Sequence, residues 1–404
     1  MSVRSALLEQ HSLVIRDGRI LDILPTEIAR ERYAASVTLQ RPSHLLMPGM
    51  INARADAALS LFRGTHAAAG LEPAETSADF AHDSVLLAIA EMLRAGITCF
   101  SDRHHFPRET ALAAAEQGIR VVVGMPVAEG RTPWASGSAQ SMTRALSFRD
   151  EYGGHPLVST VFAPQNANEL SDATLSKLTT LADELDAGIM IDVHTCAAEI
   201  ERSLALHGLR PLERLWKLGL LSPALNAVHM VHASEEDIAL AQRTGISISA
   251  CLQGDLRNGH GLAPVAAFAA AGMRLGLGSA GFAAFSQDVW GEMRLAALLS
   301  SGWDGLYAAT RGGAAVLGLD AEIGSLEPGK WADLCCLDLA MPAMQPAADV
   351  LSQLAFNGGR DLVRDVWVAG RQLLSEGELT RLDWSDLSSR RGASAARDSL
   401  AGVR

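Results

Sequence analysis

The sequence predicts an α/β protein: a (β/α)8 TIM barrel with a small composite β-sandwich formed by the N- and C-terminal segments. Three observations predict this fold. Between Leu46 and Leu319, eight short apolar runs alternate with amphipathic helical patterns. Each run is almost continuously apolar, which is typical of parallel strands buried on both faces. Eight strand–helix units are the number that closes a barrel, although a doubly wound open sheet is an alternative with the same alternation.

The strands and helices of the barrel can be placed along the chain. The eight strand candidates, in order, are LLMPGMIN, ITCFSDR, IRVVVGMPV, LVSTVFAPQ, GIMIDVHT, NAVHMVHA, ISISACL and MRLGLGSA. Between the first two, SADFAHDSVLLAIAEMLRAG places Leu86, Ile89 and Leu93 on one face of a helix that ends at Gly96. The segment SDATLSKLTTLADELDAG begins at a Ser-Asp pair and ends at Gly188, and both are ordinary helix boundaries.

The two ends of the chain have a different pattern. SLVIRDGRILDILP precedes the barrel, and GSLEPGKWADLCCLDL and DLVRDVWVAGRQLL follow it. Each is typical of a strand pair with a turn at Asp-Gly, Pro-Gly or Ala-Gly. We therefore expect residues 1–49 and 322–388 to form one β-sandwich beside a barrel of residues 50–321. Residues 389–404 lack periodicity and large apolar groups, which predicts a disordered tail.

Composition and charge argue against several classes of function. The 404 residues are 48% hydrophobic and 20% charged, with a formal net charge of -12. This charge argues against nucleic acid or an anionic membrane surface as a partner, because nothing offsets the repulsion between like charges. No apolar run reaches the roughly 18 residues that a membrane span requires, and the first residues lack the apolar core of a signal peptide. We therefore expect a cytoplasmic protein.

The cysteines and one glycine-rich motif do not indicate a site. The five cysteines are Cys99, Cys196, Cys251, Cys335 and Cys336. Their number is odd and none lies in a CxxC motif, which argues against a disulfide framework and a thiolate zinc site. The motif GLGSAG, at 276–281, matches the dinucleotide fingerprint, but no clear helix follows it directly. We interpret it as the loop after the last barrel strand.

Several segments carry a family resemblance. MPGMINA…LSLFRG, NAVHMVHASEEDIAL, GLAPVAAFAAAGMRLGLGSAG and GSLEPGKWADL resemble segments of the amidohydrolase superfamily. The resemblance covers nearly the whole chain and is to the branch that holds the cytosine/guanine and methylthioadenosine/S-adenosylhomocysteine deaminases and the triazine hydrolases. It implies one zinc or iron ion at the C-terminal mouth of the barrel, which activates a water molecule. The implied ligands are an HxH pair on strand one, a histidine on each of strands five and six, and an aspartate on strand eight.

Most of these positions carry other residues in this chain. His229 is the only retained ligand position. The replacements are Arg54 and Asp56 for the HxH pair, Asp192 for the strand-five histidine, Thr195 for a proton-handling glutamate after strand five, Ala280 for the strand-eight aspartate, Gln165 for a histidine after strand four, and Ala250, in ACLQGD, for a substrate-binding histidine. Because a buried carboxylate needs a partner, we expect Arg54 to occupy the place of the metal and to pair with Asp192, with Asp56 as a further partner. The alternative is that the strand-one loop has moved and Arg54 points to solvent.

Other histidines are weaker candidates for metal ligands. His194 lies two residues after Asp192, and the AAEI segment downstream fixes the register against it. His104 and His105 are adjacent in a loop, where histidines are more often solvated than metal-bound, and His232 lies in another loop at the barrel mouth. No metal site is therefore expected.

Two functional hypotheses follow. The first is a metal-free homologue without a cofactor. It binds a small molecule in the pocket that corresponds to the family's active site, or acts as a non-catalytic partner of an active relative. We expect it to form a homodimer. The second is a working hydrolase or deaminase that acts on a C–N bond of a small heterocycle. It would use His229 with Asp192 or Asp56, as a rearranged metal site or a metal-free acid–base pair. The resemblance does not imply nucleoside specificity for this chain. The segment THAAAGLEPAETSADF is shorter than the corresponding segment of the family and has no tryptophan.

Overall fold

The computed structural model describes residues 7–63, 77–281, 286–300, 305–346 and 349–383. The described chain opens with an antiparallel hairpin of strands β1 (His11–Arg16) and β2 (Arg19–Pro25). Asp17 and Gly18 join them with φ values of 52° and 78°, the left-handed conformation that tight hairpin turns favour. The turn expected at Asp-Gly is confirmed.

A parallel barrel follows strand β3 (His44–Pro48). Within the described ranges its eight strands pair in chain order: β4 (Met50–Ala55), β5 (Ile97–Arg103), β6 (Arg120–Val127), β7 (Val158–Pro164), β8 (Ile189–Val193), β9 (Leu225–His229), β10 (Ser247–Ala250) and β11 (Arg274–Leu277). The first and last strands meet where the Ala280 amide donates to the Arg54 carbonyl at 3.0 Å. The predicted barrel is confirmed, and the open sheet is excluded.

One predicted strand is divided between two sheets. LLMPGMIN was expected to be one barrel strand, but β3 belongs to a separate antiparallel sheet and only β4 enters the barrel. Gly49 lies between them, and a Cβ atom there would come 2.1 Å from the Thr98 hydroxyl oxygen. A residue without a side chain is therefore required where the chain passes from one sheet to the other.

The helices are α1 (Thr26–Arg32), α2 (Ala78–Arg94), α3 (Pro107–Gln117), α4 (Ser138–Glu151), α5 (Asp172–Leu185), α6 (Ala197–His207), α7 (Pro211–Lys217), α8 (Glu235–Thr244), α9 (Leu252–Arg257), α10 (Val265–Ala270), α11 (Trp290–Leu299), α12 (Gly305–Tyr307), α13 (Gly313–Val316) and α14 (Val350–Asn357). Ser171 caps α5 by accepting a hydrogen bond from the Thr174 amide, as expected from the Ser-Asp start. The expected stop at Gly188 is wrong, because Asp186 adopts the left-handed conformation and ends the helix. No helix in the described ranges is long and apolar enough to cross a membrane.

The second sheet joins the two ends of the chain. After the barrel come β12 (Leu334–Asp338), β13 (Val363–Val368), β14 (Arg371–Ser375) and β15 (Glu378–Leu379). Among the described residues these strands and β3 form a sheet in the order β15-β14-β13-β12-β3. Ile20 of β2 packs with Leu334 of β12, so the hairpin lies against this sheet. The composite architecture is confirmed.

The expected strand pair in GSLEPGKWADLCCLDL is only half correct. Its second half forms β12, whereas in the first half Trp331 makes a single bridge to Arg19. Pro328 and Gly329 lie in a turn that begins no hairpin. The domain boundaries stay a prediction, and the tail at 389–404 lies outside the described residues.

Candidate functional site at the barrel mouth

Arg54 is a buried cation at the end of β4. Its side chain is 6% exposed, and Nη1 donates to Oδ1 of Asp56 at 2.9 Å and to the Ala55 carbonyl. Burial lowers the pKa of Arg54, but the charges of Asp56, Asp192 and other acidic neighbours outweigh it and raise the pKa overall. Arg54 is therefore charged and does not point to solvent. Its Nε atom has no hydrogen-bond partner in the described part of the chain.

Asp56 joins β4 to the loop after β11. Its Oδ2 atom accepts a hydrogen bond from the Gly281 amide at 2.9 Å, while its own amide donates to Oε1 of Gln287 at 3.2 Å. The carboxylate thus has a backbone donor on one oxygen and a guanidinium on the other, which favours its ionised form.

Asp192 pairs with an arginine that the sequence did not single out. Arg103, at the end of β5, donates from Nη1 to Oδ1 at 3.1 Å and from Nη2 to Oδ2 at 2.8 Å. The expected Arg54–Asp192 pair is therefore wrong, because Arg103 presents its planar fork to both carboxylate oxygens. Burial raises the pKa of Asp192, but the positive charges of Arg103, His229 and Arg54 lower it overall.

His229 ends β9 and lies against a buried carboxylate. Its Nδ1 atom is 2.8 Å from Oδ1 of Asp255, a residue of α9 whose side chain is 1% exposed. The Nδ1 atom of His260 lies 3.5 Å from the same oxygen. Burial lowers the pKa of His229, but Asp255 and Asp192 raise it overall. Together with the two Arg–Asp pairs, His229 and Asp255 form the polar rim of the mouth.

The other predicted pocket residues contribute little side-chain chemistry. Thr195 donates its amide to Oε2 of Glu199 at 2.7 Å, and burial raises the pKa of that glutamate. Gln165 is exposed, and its carbonyl accepts from the Asp192 amide at 3.0 Å. Ala250 and Ala280 are buried. Ala280 belongs to an apolar cluster with Ala163, Met190, Val228 and Cys251.

His194 is a structural residue. It is fully buried, its Nε2 atom accepts from the Leu212 amide at 3.2 Å, and Nδ1 lies 3.3 Å from Asp237. One ring nitrogen thus accepts while the other faces a carboxylate, as the neutral ring requires. Burial lowers the pKa of His194 to about 4. The expectation that His194 is no metal ligand agrees with these contacts.

Among the remaining histidines and the cysteines, His104 and Cys251 lie close enough to Arg54 and Asp56 to interact with their charges. His104 was expected to be solvated, but it is only partly exposed and burial lowers its pKa to about 4. Its ring centroid is 5.9 Å from that of His105. His232 lines an open groove with Arg210. None of the five cysteines, all of which lie in the described ranges, is in a disulfide.

The residues that sequence reasoning missed are Arg103, Asp255 and Glu199. Each lies in or beside a segment that contains a candidate site residue. Arg103 precedes the two adjacent histidines, Asp255 ends ACLQGD, and Glu199 ends the AAE that fixes the register of β8. The available signal was their charge in a segment that follows or ends a predicted strand. In a barrel such segments gather at one face.

Charged groups converge at the carboxyl ends of four parallel strands of a (β/α)8 barrel. Barrel enzymes have their active sites at this end of the barrel. The model of the amidohydrolase family matches residues 45–373. The chain belongs to this family.

Its relatives include deaminases. The chain is 35% identical to a 5-methylthioadenosine/S-adenosylhomocysteine deaminase from Teredinibacter turnerae, over 95% of this chain and 91% of the relative. It is 36% identical to the enzyme of that name from Saccharophagus degradans, over the same shares. An adenosine deaminase structure from Xanthomonas campestris with bound zinc has a TM-score of 0.92 at 35% identity, covering 98% of this chain and 95% of that one. Atrazine chlorohydrolase from Arthrobacter aurescens, complexed with zinc, shares the fold, with a TM-score of 0.87 at 22% identity over 96% and 95% of the two chains.

The zinc in two of these structures raises the question of whether this mouth fits a metal. Among the residues that the structure describes, no three His, Cys, Asp or Glu side chains are grouped so that they could hold one. Arg54 is buried beside Asp56, Arg103 occupies both oxygens of Asp192, and Ala280 offers no donor. The side chains at the mouth therefore do not fit a divalent cation.

Proposed function

We propose that this chain hydrolyses a C–N bond of a small heterocyclic amine at the barrel mouth without a divalent cation. Membership of the family and similarity to named deaminases along 95% of the chain support the reaction class. The observation that carries the metal-independent form is the His229–Asp255 pair, 2.8 Å apart at the mouth.

The pair has the geometry of a general acid–base. Nδ1 of His229 makes an ion-pair contact of 2.8 Å with Oδ1 of Asp255, and neither atom has a hydrogen-bond partner in the described part of the chain. A carboxylate on one ring nitrogen fixes the orientation of the imidazole and leaves the other nitrogen to transfer a proton. In the proposed reaction, water forms a bond to the carbon that bears the amine, and Nε2 takes the proton of that water. The C–N bond then breaks, and Nε2 returns the proton to the leaving nitrogen.

Arg54 supplies the electrostatic part of this proposal. Negative charge develops on the heterocycle when water adds to it, and a fixed positive charge in a poorly solvated site stabilises that charge. Arg54 is buried, charged and directed to the same mouth as His229, whose pKa its charge lowers. Arg54 is therefore the cation that we propose acts on a substrate bound beside His229.

The substrate class is proposed from the family. The named relatives act on 5-methylthioadenosine or S-adenosylhomocysteine, and a structural neighbour is an adenosine deaminase. The segment from which we judged nucleoside specificity, 65–80, lies mostly outside the described residues. We therefore propose a heterocyclic amine, and adenine nucleosides are the first compounds to test.

The experiment measures ammonia release from adenosine, 5′-methylthioadenosine, S-adenosylhomocysteine and an amino-triazine, with and without a chelator. We expect turnover of at least one compound that the chelator does not change. His229→Ala should reduce it about 100-fold or more, whereas His11→Ala, in the distant hairpin, should leave it intact. Turnover that requires added zinc would contradict the proposal.

A ligand-binding homologue without catalysis is the second candidate. The apolar surroundings of Ala280 favour it, because the position has lost all proton-transfer chemistry. In this case the same compounds would raise the Tm of the protein by mass action and none would release ammonia. The homodimer and the cytoplasmic location stay predictions, and light scattering on the purified protein tests the first.

A further inference from the structure

We infer that Arg54 and Arg103 together take the place of a divalent cation at the barrel mouth and exclude one from it. This inference rests on the metal-free form of the proposed function. It adds the charge balance of the mouth, the second arginine and a way to reverse the replacement.

The charges of the two pairs cancel. Arg54 with Asp56 and Arg103 with Asp192 place two positive and two negative charges in a region where the side chains are 6–16% exposed. One divalent cation would neutralise the same two carboxylates. Adding such an ion to the existing pairs would leave two uncompensated positive charges in a poorly solvated site, which is strongly unfavourable.

The two arginines also make contacts between segments at the mouth of the barrel. Arg54 binds Asp56, and through the Gly281 amide that carboxylate holds the loop after β11. Arg103 joins β5 to Asp192 of β8 and lies 3.3 Å and 3.4 Å from the carbonyls of Pro164 and Gln165. The first pair therefore joins the end of β4 to the loop after β11, and the second joins the ends of β5, β7 and β8.

The packing around Arg54 keeps its side chain in place. A Cβ atom on Gly278 would lie 2.8 Å from Cβ of Arg54 and 2.9 Å from Sγ of Cys251. The backbone at the end of β11 thus presses directly against Arg54, and the neighbouring cluster around Ala280 is apolar. This contact fixes the base of the side chain, while Asp56 and the Ala55 carbonyl hold the guanidinium.

The test compares two multiple variants with the wild-type chain. One carries Asp56→His, Asp192→His and Ala280→Asp and keeps Arg54. The other adds Arg54→His, which completes the ligand set implied by the family resemblance. Zinc content is measured after dialysis, and Tm is measured with zinc and with a chelator.

We expect below about 0.1 zinc per wild-type chain and a Tm that neither zinc nor chelator changes. The fourfold variant should bind about one zinc per chain, and the threefold variant should bind at least roughly tenfold more weakly because the guanidinium remains. Equal zinc binding by the two variants, or no binding by either, would overturn the role of Arg54. Stoichiometric zinc in the wild-type chain would overturn the whole inference, even if both variants fail to fold.

These outcomes separate the inference from the proposed function. Absence of ammonia release together with a zinc-free wild-type chain would reject only the catalytic proposal. Chelator-sensitive ammonia release from a zinc-containing chain would reject both.

Discussion

The two ends of the barrel use the same pair of residue types for different purposes. At the N-terminal end, Arg120 of β6 binds both oxygens of Asp333 at 2.8 Å and 3.1 Å. Its remaining Nη1 donates to the Pro156 carbonyl, and Asp333 also accepts from the Ala369 amide. This pair joins the barrel to the second sheet, with side-chain exposures of 7% and 1%.

At the C-terminal end the pairs are less complete. Arg54 leaves Nε, and His229 leaves Nδ1, without a hydrogen-bond partner in the described ranges. A fully satisfied pair stabilises, whereas a pair with spare donors is placed to bind something else. The comparison therefore agrees with the division of a barrel into a face for stability and a face for function.

The largest expected effect is at the N-terminal end. Arg120→Ala should lower the free energy of unfolding by about 3–5 kcal/mol, because it leaves Asp333 buried without its partner. Urea denaturation measures this, and the exposed pair of Arg108 and Glu151 provides the control. Arg108→Ala should cost less than about 1 kcal/mol. Equal losses in the two variants would break the comparison.

The next effect is a pH dependence from His194, which directly follows β8. Its folded pKa of about 4 lies below the ordinary 6.5, so the unfolded chain binds the proton more readily between these values. Stability should therefore fall as the pH drops from 6.5 towards 4, by about 3 kcal/mol from this group. Thermal unfolding between pH 4 and pH 8 measures the slope. His194→Gln should flatten it, and an unchanged slope would contradict the neutral buried ring.

A smaller effect is expected at Asp255, and it concerns rate. Asp255→Asn should reduce the proposed turnover about 10- to 100-fold. The neutral amide neither orients His229 as the carboxylate does nor favours its protonated form. The pH–rate profile should also move to lower pH, since Asp255 raises the pKa of His229. A loss of turnover without any change in the profile would indicate that Asp255 acts only on folding.

The smallest effect is expected for Arg103→Lys. The charge is kept but the two-point contact with Asp192 is lost, so the free energy of unfolding should fall by about 1 kcal/mol. Chemical denaturation detects this, with Arg63→Lys as a matched change in a partly exposed pair with Glu91. A loss as large as that of Arg120→Ala would erase the contrast between the two ends.

The fold could be predicted because its signals are local. Each apolar run carries the marks of a buried parallel strand, and Asp-Gly and Ala-Gly mark hairpin turns whatever surrounds them. The split of LLMPGMIN was not predictable, since both halves are apolar and only the clash with Thr98 shows that the chain turns at Gly49.

The site was predicted in position but not in pairing. Arg54, Asp56, Asp192 and His229 do meet at the mouth, because strand ends in a barrel share one face. Which carboxylate faces which guanidinium depends on side-chain reach between β4, β5 and β8. No spacing in the sequence encodes that reach, so Arg103 was overlooked.

The composite sheet has a consequence for synthesis on the ribosome. His44–Pro48 emerges early, but its neighbour in the sheet, Leu334–Asp338, is translated nearly three hundred residues later. Until then the nascent chain exposes an unsatisfied strand edge, the kind of surface that recruits other chains. Premature termination between Leu277 and Leu334 should therefore yield an aggregating product even though every barrel strand has been made.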